Sequence, residues 1–126
     1  ILRSSIGNPK LVTHMGTELA VTDLAIYDTV AAQPDSAVEQ LFAELLAQEK
    51  DTGVSAIDGI IFTSASTVRE FLHSHPAFEP EGRMALCIGE MTAQEARKAG
   101  MEVTVAAEAS VQGLLALVEQ IYSIDL

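Results

Sequence analysis

Basic residues are scarce in this sequence. Seven Lys and Arg stand against 18 Asp and Glu, a formal charge of −11 over 126 residues. Nucleic acids and anionic membranes are met by clustered basic side chains, so this balance argues against both as partners. Cysteine occurs once, which excludes an internal disulfide and the stapled domains of small secreted proteins. The apolar runs are far short of a bilayer span. Neither a Walker A loop nor a Gly-x-Gly-x-x-Gly fingerprint occurs, so nucleotide binding has no support. The chain opens at Ile1 without a methionine or a signal-peptide pattern. What is there is 48% apolar and 20% charged, the composition of a folded chain rather than a disordered one. The length allows one ordinary domain and not two complete ones. These features point to an acidic, cytoplasmic α/β domain.

Three short apolar runs, Ile57–Thr63, Met84–Ile88 and Glu102–Ala106, read as strands covered on both faces. Helical patterns alternate with them. In residues 36–49, Val38, Leu41, Phe42, Leu45 and Leu46 make an amphipathic stripe, and Ser36 with Glu39 has capping-box spacing. Ser64 to Leu72 predicts a second helix with Val68, Phe71 and Leu72 on one face. A third opens on another capping-box pair, Thr92 and Glu95, and is stopped by Gly100. The fourth starts at Ser110 and uses Val111, Leu114, Leu115 and Val118. Alternation of this kind predicts a parallel sheet with right-handed crossovers and helices on both faces. Ligands of such sheets bind beyond the carboxyl ends of the strands.

Residues 1–33 differ from the rest. Ile1-Leu2-Arg3 resembles the stump of a strand, Asn8-Pro9 a helix start, and Val21–Tyr27 another strand. Leu11, Val12 and Met15 are placed to face a core. One strand–helix–strand unit cannot bury its own faces. It requires a partner from outside this chain or from another copy, and self-association by exchange of this segment is expected. The polar stretch Asp28–Asp35 marks the boundary, so the organisation is 1–33 as an incomplete lobe and 34–126 as most of a second.

Familiar catalytic constellations are missing. His73 and His75 have no third metal ligand near them in the sequence, and Cys87 lies inside a strand with no histidine beside it. No cofactor is indicated. The remaining candidates are strand-end turns: Thr63, Ser64, Ala65 and Ser66 entering one helix, Gly89, Met91 and Thr92 entering the next. Unpaired amides and the helix dipole make such turns receptive to carboxylates or phosphates. Ser64 and Thr92 equally fit plain N-caps, and a capping hydroxyl leaves other first-turn amides free.

Residues Ile60-Ile61-Phe62-Thr63-Ser64-Ala65-Ser66-Thr67-Val68-Arg69-Glu70-Phe71 resemble the "FTSxSxVxxF" segment of the uroporphyrinogen-III synthase family. Cys87-Ile88-Gly89-Glu90-Met91-Thr92-Ala93 is similar to its "IGxxTA" turn. Gly100-Met101-Glu102-Val103 and Ala107 to Leu114 continue the likeness in order, and Ala25-Ile26-Tyr27-Asp28-Thr29 resembles its "vYxT" segment. The ordered set covers nearly the whole chain. It departs from the family at Glu90-Met91, where Pro-Thr or Pro-Ser is common, and Glu90 brings a negative charge to the turn.

The resemblance implies a two-lobed α/β enzyme about twice this length. Residues 1–27 then end one lobe, and those from about 34 onward form most of the other. The missing N-terminal half of the same protein becomes an implied partner. The implied substrate is hydroxymethylbilane, and the implied product is uroporphyrinogen III. By the same resemblance Tyr27 is the catalytic residue, with Thr63, Ser64, Ala65, Ser66, Gly89, Met91 and Thr92 binding substrate. A second reading keeps the fold and drops the chemistry: a ligand-sensing or regulatory module, because fold alone does not fix function.

Overall fold

The computed structural model describes residues 2–4, 13, 24–27, 33 and 35–123. The chain divides into two compact units, 1–34 and 35–126. In the first, β1 (Leu2–Ser4) and β2 (Leu24–Tyr27) pair in parallel, with Leu2 opposite Leu24 and Arg3 opposite Ala25. A register irregularity after Arg3 sets Ser4 opposite Tyr27. The helix start expected at Asn8-Pro9, and the core roles expected of Leu11, Val12 and Met15, lie outside the described residues.

The second unit runs α1 (Ser36–Thr52), β3 (Ile60–Phe62), α2 (Ala65–Ser74), β4 (Met84–Cys87), α3 (Glu90–Lys98), β5 (Glu102–Val105) and α4 (Val111–Tyr122). The three strands pair in parallel in the order β3-β4-β5, with Phe62 opposite Cys87 and Cys87 opposite Val105. This is the α/β architecture expected from the sequence. Strand pleating sends alternate side chains to opposite faces. Ile60, Phe62, Ala85, Cys87, Val103 and Val105 meet α1, α2 and α3 through Phe42, Leu46, Val68, Phe71, Leu72, Ala93 and Ala96. Met84, Leu86 and Ile88 meet α4 through Leu114, Leu117, Val118, Ile121 and Tyr122.

The first of these cores is built around phenylalanine. All four phenylalanines of the sequence lie in it. Phe71 sits edge-on to Phe42 and Phe62, with ring centres 5.7 Å apart in each case, and to Phe78 at 5.2 Å. Such crossed rings add to area burial, which itself stabilises by about 1.5–3 kcal/mol per fully buried ring. Ala93 and Ala96 are fully buried. Their small side chains let α3 approach the sheet closely.

Several local expectations are corrected. The cap of α1 is Asp35 and not Ser36: its carboxylate accepts from Ala37 N at 2.9 Å and Val38 N at 3.2 Å. An aspartate one residue upstream reaches the same free amides, so the helix starts there. Glu39 is thereby released for a different partner. The cap of α3 is Gly89, with no side-chain bond, and Thr92 lies within the helix, buried. Glu95 serves Lys98 and Arg69 rather than a capping box. Ser64 and Ser110 do cap α2 and α4, accepting from Thr67 N and Gly113 N. Gly100 follows the end of α3 with φ +85°, a backbone state glycine adopts without a Cβ penalty.

The apolar stripes are narrower than the periodicity implies. Val38, Leu41, Val111 and Leu115 are exposed, and α1 contains no buried residue. In α4 the inward face is Gly113, Leu114 and Leu117, with Val118 and Ile121 beside them. Ile61 on the edge strand β3 is 49% exposed, so that strand is not covered on both faces.

Gly113 is required by close approach. A Cβ at this position would run into the Glu108 carbonyl, which is backbone and cannot swing aside. The better helix propensity of alanine is worth only about 1 kcal/mol. Gly113→Ala is therefore expected to lower stability by about 1–3 kcal/mol in urea unfolding. Gln112→Ala, one position away and exposed, should stay within about 0.5 kcal/mol of the parent.

Candidate functional site

The carboxyl ends of β3 and β4 lie side by side because the strands pair in parallel. The bond from Ile88 N to Phe62 O, 3.1 Å, extends that pairing into the turns. Thr63-Ser64 and Ile88-Gly89 thus leave the sheet as neighbours, each opening into a helix. Thr63 is exposed, while Ser64, Ala65, Ser66 and Gly89 are half-buried. Met91 is exposed, and Thr92 is the buried polar residue among the described residues.

The two turns differ in chemistry. At α2 the Ser64 hydroxyl lies 2.6 Å from Thr67 Oγ1 and 3.1 Å from Ser66 Oγ, and it also accepts from Thr67 N. The three hydroxyls form a small polar cluster centred on Ser64, and hydroxyl protons can reorient toward an incoming acceptor. At α3 no side chain caps the first turn, so its leading amides carry the positive end of the helix dipole unmasked. Glu90 would oppose an anion there, but its carboxylate is bonded to Arg97 two turns along, at 2.5 Å. Both side chains are about half exposed, so the pair screens charge more than it stabilises. The spacing from Glu90 to Arg97 is visible in the sequence and is the signal by which this partner could have been found.

Cys87 ends β4 just behind these turns and is fully buried. Burial pushes its thiol up from the usual cysteine range, which disfavours the thiolate. His75 is not an open surface histidine: its ring is bonded to Glu39 and the Phe71 carbonyl. Among the described residues no group of three His, Cys, Asp or Glu is placed to hold a metal ion. Tyr27 ends β2 in the first unit. Its side chain lies outside the described residues.

A cavity of about 580 Å³ opens at the other end of the sheet, lined in part by Glu49, Ser55, Asp58, Glu79, Gly82 and Arg83. It is remote from the two turns. Its most buried charges are already spent on each other. Arg83 donates to both oxygens of Glu49, through Nη1 at 2.8 Å and Nη2 at 2.5 Å. The same carboxylate accepts from Ala56 N, Ile57 N and the Ser55 hydroxyl. This explains why β3 starts at Ile60 rather than Ile57: residues 55–57 bond to Glu49 instead of extending the strand. Sequence periodicity could not reveal the pair, whose members are 34 positions apart.

The fold places this chain among parallel α/β proteins, a class in which ligands usually bind beyond the carboxyl ends of the strands. The family model for uroporphyrinogen-III synthase HemD matches residues 1–116. The chain belongs to that family, whose function lies in tetrapyrrole biosynthesis. No curated protein and no solved structure matches it. Among the described residues, no helix is long and apolar enough to cross a membrane.

The Glu49 pair carries a pH signature. Hydrogen bonding from Arg83 holds the Glu49 carboxyl at about 2, against 4.5 for the free group. A depressed carboxylate contributes stability above its unfolded value and loses it as pH falls through the folded one. Glu49→Gln is expected to cost about 1.5–3 kcal/mol near neutrality. The difference from the parent protein should hold above pH 4.5 and shrink as pH falls toward 2. Urea unfolding at stepped pH checks both the sign and the window.

Proposed function

We propose that this chain forms the C-terminal part of a uroporphyrinogen-III synthase, a lyase that closes hydroxymethylbilane to uroporphyrinogen III with loss of water and inversion of the terminal ring. Residues 1–33 are read as the end of one lobe and the connection to the next. Residues 34–126 are read as most of the second lobe. The missing N-terminal half completes both. The observation that carries the reading is the adjacency of two helix-opening turns, Thr63–Thr67 and Gly89–Thr92, in a chain of this family.

The chemistry suits such a site. Hydroxymethylbilane sheds hydroxide readily, and unaided it closes without inversion. The catalyst has to hold the chain so that attack comes from the substituted carbon of the terminal ring, giving a spiro intermediate that fragments and recombines. Orientation of this kind supplies up to about 7–11 kcal/mol and needs few strong acids or bases. Ring carboxylates would be held by the backbone amides at Gly89, Met91 and Thr92 and by the hydroxyls of Thr63, Ser64 and Ser66, with Ala65 giving backbone only. The Glu90–Arg97 pair supports this assignment, because it offsets the charge that departs from the family pattern. Tyr27 is the group assigned to the departing hydroxyl: a neutral phenol donates a hydrogen bond to it without a shifted pKa. The reaction is assigned to the cytoplasm.

The test uses the full-length protein with hydroxymethylbilane, separating type I from type III product. Tyr27→Phe keeps the ring and removes the hydroxyl. It should reduce type III formation by about 10²-fold or more with an unchanged melting temperature. Unchanged turnover would remove Tyr27 from the chemistry, and absence of type III product from the parent protein would favour a ligand-sensing module. The 126-residue chain alone, lacking half of the cleft, should yield type I product only.

A further inference from the structure

Helix α1 is the element that receives the chain from the first unit, and it has no buried residue. It meets the core through Phe42 and Leu46. Two carboxylates fasten it on either side of these contacts. Near its C-terminal end Glu49 is bonded to Arg83, and an arginine keeps its charge throughout the accessible pH range. Near its N-terminal end Glu39 is bonded to His75, which follows α2.

The second fastening has a distinct proton requirement. His75 Nδ1 lies 2.8 Å from the Phe71 carbonyl oxygen. Nε2 lies 3.0 and 2.8 Å from the two Glu39 oxygens. A carbonyl and a carboxylate only accept. A neutral imidazole has one N–H and one lone pair, so one of the two contacts would then set lone pair against lone pair. Both are satisfied only when the His75–Glu39 pair holds one proton more than neutral imidazole plus carboxylate. The surroundings suit a cation: the ring stands edge-on to Phe42, centres 5.1 Å apart, and lies against Phe71 at 4.7 Å. Glu39 is the charged group bonded to it from α1, and the contacts from its own side are the Phe71 carbonyl and ring.

We propose that His75 and Glu39 form a proton-dependent latch that holds the first turns of α1 against α2. The latch is closed while the pair holds this extra proton and opens when a rise in pH removes it. The Glu49–Arg83 pair keeps the last turns docked at either pH. Opening therefore loosens the half of α1 that adjoins the connection from the first unit.

Amide hydrogen exchange on the whole chain, corrected for the intrinsic rate at each pH, reads this directly. Between about pH 5.5 and 8.5, protection of residues 39–42 should fall by about tenfold or more, the effect of one charge-assisted hydrogen bond. Protection of residues 46–50 should hold. In Glu39→Gln the pH dependence of residues 39–42 should vanish. Imidazole nitrogen spectra should show two ring N–H groups on His75 when the latch is closed. Equal pH response in both halves of α1, a dependence that persists in Glu39→Gln, or a singly protonated His75 ring while residues 39–42 are protected would each overturn the proposal.

Discussion

The Glu49 carboxylate organises the second unit. It accepts from the Arg83 guanidinium, two backbone amides and one hydroxyl. A carboxylate only 10% exposed is costly unless its lone pairs are satisfied, and here five donors satisfy them. The same contacts tie the last turns of α1 to the loop ahead of β3 and to Arg83, the residue just before β4. They decide where β3 starts. Once β3 starts at Ile60, its pairing with β4 fixes Phe62 opposite Cys87, and the two turns beyond these residues emerge together.

The strand-end turns offer amides and hydroxyls rather than a shifted acid or base. Under the proposed function, this suits a reaction governed by how a flexible, polyanionic substrate is held. The chain's charge of −11 repels such a substrate at long range, but salt screens that field beyond about 8–10 Å. Attraction must therefore be local. At the second turn the Glu90 carboxylate is paired with Arg97, which offsets its charge there. Behind the turns Cys87 is buried, and burial disfavours its thiolate, so the groups the turns present are backbone amides and hydroxyls.

From residue 36 onward, the order of strands and helices, their approximate limits and the parallel sheet were legible in the sequence. Runs such as Met84–Ile88 are too short for a buried helix and apolar almost throughout, and alternation of helix and strand permits few topologies. Ser64, Ser110 and Gly100 were legible because caps and stops are local: each acts on amides or carbonyls within a few residues. The turns carrying Thr63 to Ser66 and Gly89 to Thr92 were visible for the same reason, as was their likeness to one family.

What only the tertiary structure decided is how long-range partners share those local groups. Asp35 rather than Ser36 caps α1, and Glu39 is left to meet His75, 36 positions away. Thr92 is drawn inside α3 and buried, because Gly89, two residues past β4, already caps the start of that helix. Val38 and Leu41 follow helical periodicity as well as Phe42 does, yet they face outward while Phe42 joins the phenylalanine cluster. Periodicity reports which residues share a helix face. It holds no information about how much of that face a neighbour covers, and that coverage is set by packing between segments distant in the chain.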